Sequence, residues 1–112
     1  MILHNYLSNS GRDLIYEYIN SLPEAEKIDG YTVLQHMEKG EFDKILFKRW
    51  EKKVYEVYFQ KNNRVFYITA DKENIYLLHS CRKQKNKTEK KDANIVRKRA
   101  KELGNMLGRK FI

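Results

Sequence analysis

Cysteine and proline each occur once, at Cys81 and Pro23, and glycine only five times in 112 residues. A lone cysteine excludes an internal disulfide and leaves a thiolate-based zinc site without the partners it needs. His4, His36 and His79 stand at no HExxH-type spacing, and no GxGxxG or GxxxxGK(S/T) loop is present to cradle a dinucleotide or a nucleoside triphosphate. A GxSxG elbow for a hydrolytic serine is missing too. No metal and no cofactor is therefore expected. No apolar run approaches the roughly 20 residues of a membrane span, and the N-terminus lacks a basic stretch ahead of an apolar run and a cleavage site. A cytoplasmic protein with no membrane partner is the expectation.

What is present suffices for one core. Hydrophobic residues at 41% and charged residues of both signs at 34% are the composition of a folded chain, and 112 residues predict a single domain spanning 1–112. The net charge of +8 is unevenly placed. Residues 1–81 hold 11 Lys/Arg against 12 Asp/Glu, whereas residues 82–112 hold 12 against 3, a surplus of nine positive charges. A positive field confined to one end is the footprint of a polyanion-binding protein, nucleic acid above all, although a solvated basic helix carries the same signature.

The stretch Val54–Thr88 organises the chain. VYEVYF, RVFYIT and IYLLHS are rich in β-branched and aromatic residues and are separated by QKNN and ADKEN, the pattern of an antiparallel meander. Upstream, ILFKRWEKKVYEVYF reads as two strands joined near Glu51–Lys53, with Trp50 an anchor for the core, and MILHNYL opens with a short candidate strand. Ser10 with Asp13 forms a capping-box-like start to a helix carrying Leu14, Ile15, Tyr18, Ile19 and Leu22, and Pro23 separates it from a second. That second helix, from about Glu24 to Lys39, carries Ile28, Tyr31, Leu34 and Met37, is weakened by Gly30 and ends at Gly40. Residues 1–43 hold three basic and eight acidic side chains, so this helical hairpin is expected to support the sheet rather than meet nucleic acid. After Arg82, a lysine-dense loop leads to a basic amphipathic helix with Thr88 as the candidate N-cap and Ile95, Val96, Leu103, Met106 and Leu107 along one side. The fold class predicted is α+β, a small antiparallel or mixed sheet of three to five strands, with an N-terminal helical hairpin on one face and a C-terminal basic helix.

Order and motifs together resemble the RelE/ParE toxin superfamily, in particular its HigB-like, phage-derived branch. SLPEAEK (Ser21–Lys27) is similar to the interhelical turn, KRWEKKVYEV (Lys48–Val57) to the family's K-K-L…L-Y-E-L-R segment, NRVFYI to its Y-R-V-x-Y strand, and YLLHSCRKQKNKT to its L-L-H-G-F-x-K-K-x-x-K-T run. Tyr58 stands where the family has an arginine, Ser80-Cys81 replaces a glycine-aromatic pair, and Glu89 replaces a proline. The resemblance implies the toxin of a type II toxin–antitoxin pair. Such a toxin is a metal-independent endoribonuclease acting on mRNA in the translating ribosome, and it is neutralised by a cognate helix-turn-helix antitoxin. It also admits a ParE-like gyrase inhibitor, and a non-catalytic nucleic-acid-binding domain is a third reading.

The chemistry is arguable from the residues. A cofactor-free protein can cleave RNA because the substrate brings its own nucleophile, the 2′-hydroxyl, so the protein has only to orient it, stabilise phosphate charge and move protons. Arg64 is the candidate phosphate clamp, with a strand-end arginine paired to Glu56 as the alternative. A three-residue hairpin loop would set Arg64 beside Tyr58 and Gln60, whereas an Asn62-Asn63 turn would set it with Phe59 and Val57; the first is favoured. Tyr58 is expected to stack on a base or move a proton, and Lys83 and Lys85 complete the candidate catalytic set. Lys87, Arg82, Lys90, Lys91 and Arg99 are candidate RNA contacts. His79 is either a general acid-base group or a satisfied core histidine.

Overall fold

The first helix starts at Asp13 rather than at Ser10, because the Tyr16 N–H finds the Asp13 carboxylate at 3.0 Å while Ser10 bonds only its neighbour Ser8. The computed structural model describes residues 1–83 and 88–112. In order these form β1 (Ile2–Asn5), α1 (Leu14–Asn20), α2 (Glu24–Glu38), a 3₁₀ turn (Phe42–Lys44), β2 (Leu46–Glu51), β3 (Val54–Phe59), β4 (Asn63–Thr69), β5 (Asn74–Arg82) and α3 (Lys90–Leu107). The fold is α+β. Its five-stranded mixed sheet has the order β1-β5-β4-β3-β2; β2 to β5 form an antiparallel meander and β1 joins β5 in parallel. No helix among the described residues is long and apolar enough to cross a membrane.

Two cores lie on opposite faces of the sheet. Ile15 and Ile19 of α1 with Val33, Leu34 and Met37 of α2 cover Val57, Phe59, Val65, Tyr67, Ile75 and Leu77. Val96, Ala100 and Leu103 of α3, joined by Phe111, cover Val54, Phe66, Ile68 and Leu78. The expected α2 stripe is displaced at its first turn: Ile28 is 57% exposed, whereas Glu26 is buried because it accepts hydrogen bonds from Asn63 and Arg82. Met106 likewise faces outwards from α3. Thr88 is not the cap of α3; the N-cap is Glu89, and the Thr88 hydroxyl is taken by Arg64.

Gly30 has a packing reason that a propensity argument misses, since a Cβ there would lie 3.0 Å from the Phe59 ring. Gly104 is tighter still, with the Arg109 carbonyl 2.4 Å from where its Cβ would be. That approach lets the chain turn back so that the Arg109 N–H reaches the Gly104 carbonyl and Phe111 fills the core, its own carbonyl accepting from Lys53 N–H. Gly104→Ala should therefore lift the tail off the sheet at a cost of about 1–3 kcal/mol. A chemical-denaturation midpoint that failed to fall, with the tail still protected from carboxypeptidase, would refute this reading of the turn.

Candidate functional site

The hairpin between β3 and β4 decides what the site contains. Lys61 and Asn62 both adopt positive φ, 65° and 63°, and a three-residue loop follows Phe59 so that Tyr58 pairs with Arg64 and Phe59 with Asn63. In the neighbouring hairpin Lys52 turns at φ 54°, and β2 pairs Lys48 with Glu56. Side chains alternate across a strand, so Lys48, Glu56, Tyr58 and Arg64 meet on the face that carries α3, beyond its N-terminal end. Gln60 does not join them. Its N–H and side-chain amide are bonded to Asp29 and the Ala25 carbonyl of α2, on the opposite face.

At the bottom of this cluster Arg64 and Glu56 form an ion pair of 3.1 Å in which both side chains are only 1% exposed. Arg64 Nη1 also donates to Thr88 Oγ1 at 3.2 Å, while Arg64 Nε and Nη2 and Glu56 Oε2 are buried with no partner among the described residues. Buried polar groups left open in this way are costly and need a reason; a functional site is one. The Tyr58 hydroxyl donates to Glu56 Oε1 and its ring caps the pair. Three cations surround that ring, with Arg64 Cζ at 5.1 Å, Lys48 Nζ at 5.6 Å and Lys83 Nζ at 6.0 Å from its centre. Burial pushes the Glu56 carboxyl above its ordinary range, although Arg64, Lys48 and Lys83 pull the other way. Lys83 is held below the ordinary lysine range by partial burial and by the repulsion of Arg64 and Lys48.

Other candidates are placed elsewhere. Successive residues of β5 point to opposite faces, so Arg82 turns to the α2 side, where it bonds Glu26 Oε1 at 2.7 Å and the Lys61 carbonyl at 2.8 Å. Arg99 sits two turns along α3 from Asp92, over the Tyr6 ring at 4.0 Å, and donates to the Leu78 carbonyl at 2.8 Å. Both are braces of the fold rather than members of the Tyr58 cluster. Lys90 and Lys91 are exposed in the first turn of α3, where the helix dipole adds to their positive field. Lys85 and Lys87 lie outside the described residues.

Between the Arg64 pair and α3, His79, Cys81 and Asp92 bring one ligand-type atom each within 4.8 Å of one another. The trio fits a metal poorly. His79 Nε2 donates to Asp92 Oδ1 at 2.8 Å, and Nδ1 faces an Arg99 N–H at 3.4 Å, which suits a neutral ring accepting at Nδ1. A metal at Nε2 would force a proton onto Nδ1, against that donor. Burial also pushes the Cys81 thiol up to about 12, so it resists becoming a thiolate ligand or nucleophile. Burial lowers His79 against the opposing pull of Asp92, and the histidine serves to tie β5 to α3.

Glu56, Lys48 and Thr88 are the members that the sequence argument did not select. Lys48 was not readable, since a two-residue Lys52-Lys53 turn would set Arg49 opposite Glu56, and only the register shift between Arg49 and Glu51 brings Lys48 there. By sequence, the family described as Phage derived protein Gp49-like (DUF891) matches residues 17–101. The chain belongs to this family. It is a toxin-like family of phage derivation, and the matched span runs from α1 into α3, taking in every residue of the Tyr58 cluster. No curated protein matches the chain by sequence.

Proposed function

We propose that this Gp49-like protein is a HigB-type toxin of a type II toxin–antitoxin pair, a metal-independent endoribonuclease that cuts mRNA held in the translating ribosome. The observation that carries the reading is the Tyr58 phenol, hydrogen-bonded to a buried carboxyl of raised pKa and ringed by Lys48, Arg64 and Lys83. A scissile phosphate above the ring meets the exposed ammonium of Lys48 and the half-buried one of Lys83, with the guanidinium beneath adding its field in a site of low dielectric. The phenolic oxygen accepts the proton of the 2′-hydroxyl as Tyr58 passes its own to Glu56. The 2′-oxygen then bonds to phosphorus, the bond from phosphorus to the 5′-oxygen breaks, and Lys83, a stronger acid than an ordinary lysine, protonates that oxygen. The products are a 2′,3′-cyclic phosphate and a 5′-hydroxyl.

Inducing the chain in cells and mapping mRNA 5′ ends tests this directly. New 5′-hydroxyl ends at fixed positions in codons support it. Intact mRNA with trapped DNA cleavage complexes would instead make the chain a gyrase inhibitor, and tight RNA binding without cuts on active ribosomes would make it a binding module. In binding assays, replacing Lys83, Lys85 and Lys87 together by Gln should reduce the salt dependence of RNA affinity, each lost phosphate contact removing about 0.7 from the log–log slope. An unaltered slope would remove that loop from the interface.

The partner implied is a helix-turn-helix antitoxin that covers the basic end with acidic and apolar groups. Opposed patches make its association fast and salt-sensitive. Stopped-flow association rates that ignored salt, with Lys83 still open to amine-modifying reagents in the complex, would move inhibition to the acidic helical half.

A further inference from the structure

On the opposite face of the sheet, where α1 and α2 leave the β2 edge uncovered, an open cavity of about 510 Å³ is floored by aromatic rings from three adjacent strands. Phe47 of β2, Tyr55 of β3 and Tyr67 of β4 follow one another with centroids 6.3 and 6.0 Å apart, and Phe42 of the 3₁₀ turn stands edge-on to Phe47 at 5.6 Å. Tyr67 is buried and forms the floor, whereas Phe47 is 43% exposed. Arg49, Lys52 and Lys53 line the same cavity, no carboxylate does, and none of the three cations has an ion-pair partner among the described residues. Arg49 follows Phe47 on the same side of β2, about 6.6 Å further along the strand.

We propose that this groove is a second RNA contact, in which unpaired bases stack one each on Phe47 and Tyr55, whose planes are 48° apart, while Arg49, Lys52 and Lys53 hold the flanking phosphates. Rings with a π-face toward solvent and cations beside them are the parts that bind single strands without reading sequence. An acidic peptide would satisfy the cations but has no use for an open row of rings. The occupant is the same RNA strand that meets Tyr58. Lys48, on the Tyr58 side, is one residue from both Phe47 and Arg49, so the two faces adjoin across the β2 edge, which a single strand can cross. The groove thus rests on the RNA reading of the Tyr58 face but not on its chemistry.

Fluorescence anisotropy of labelled, mixed-sequence oligoribonucleotides, with a non-cleavable deoxy linkage at the cut position, tests it on the intact chain. An oligonucleotide of about 10 residues should bind roughly tenfold tighter than one of about 4, because only the longer reaches the groove. Phe47→Ala should erase that advantage. So should Arg49→Gln with Lys53→Gln, a pair of exposed changes that spares the fold should the Phe47 change loosen it, and this pair should also lower the salt slope of the longer oligonucleotide by about 1.4. Ultraviolet cross-linking of a thiouridine-containing strand should place adducts on Phe47 or Tyr55. A length advantage that survives both variants, or cross-links confined to the Tyr58 face, overturns the groove. Oligonucleotides that gain affinity with length, beside mRNA that stays uncut on translating ribosomes when the chain is induced, overturn the nuclease reading alone.

Discussion

Arg64→Ala will destabilise the protein by about 3–5 kcal/mol, because it leaves the Glu56 carboxyl buried without its cation. A surface arginine at a strand end would cost almost nothing to remove, and neither reading of Arg64 from the sequence, phosphate clamp or partner of Glu56, foresaw its burial. Its guanidinium is instead 1% exposed, bonded to Glu56 and Thr88 and lying under Tyr58 and over Phe66. With a urea m-value of about 1–3 kcal/mol per molar, the denaturation midpoint should fall by about 1–5 M. Loss of toxicity in this variant alone would therefore say little about chemistry. Arg64→Lys keeps a charge near Glu56 but forfeits the fork that reaches two acceptors at once, so it should recover much of the stability and little of any cleavage. Equal midpoints for the alanine variant and the native chain would mean that Glu56 finds another partner and that the pair is not what anchors this end of the sheet.

The same residue marks the limit of what the sequence discloses. Elements were legible wherever periodicity and turn chemistry agreed: the β3–β4–β5 meander, the helix from Glu24, the hairpin near Glu51–Lys53 and the basic C-terminal helix all follow from alternation and breakers. The three-residue loop that pairs Tyr58 with Arg64 is favoured from the sequence because it gathers Arg64, Tyr58 and Gln60 on one surface; the pairing is as expected, but Gln60 bonds to α2 on the other face. Burial of charge was not legible. Whether an arginine in a strand is covered depends on where α3 ends and on Thr88 turning inward, and both are tertiary facts. Gln60, Arg82 and Arg99 were lost for a related reason: each is long enough to reach a specific backbone carbonyl, on α2, at Lys61 and at Leu78, and no local pattern encodes that reach. Glu26, buried in an exposed-looking turn, belongs with them.

Tyr58→Phe and Glu56→Gln should have the largest effects on activity, each lowering cleavage by about 10²–10⁴-fold, the range for loss of a positioned proton-transfer group. The tyrosine variant keeps the ring over Arg64 and should cost only about 1 kcal/mol of stability. The pH dependence then distinguishes proton transfer from packing. The fold holds the Glu56 proton more tightly than the unfolded chain does, since burial raises its pKa above the ordinary 4.5. Its contribution to stability is thus complete below the unfolded value and is lost as pH rises through the folded one. Cleavage runs the opposite way, because only the carboxylate can receive the proton that Tyr58 relays, so activity should climb over the window in which this part of the stability declines. Measured as single-turnover rate and urea midpoint across the same buffers, the two curves should share a midpoint, and Glu56→Gln should flatten both. Were the acid limb of the rate profile to persist in the Gln variant, the proton would have to travel by another group, with the His79–Asp92 couple next to the cluster the nearest candidate, and Glu56 would be reduced to holding Arg64 in place.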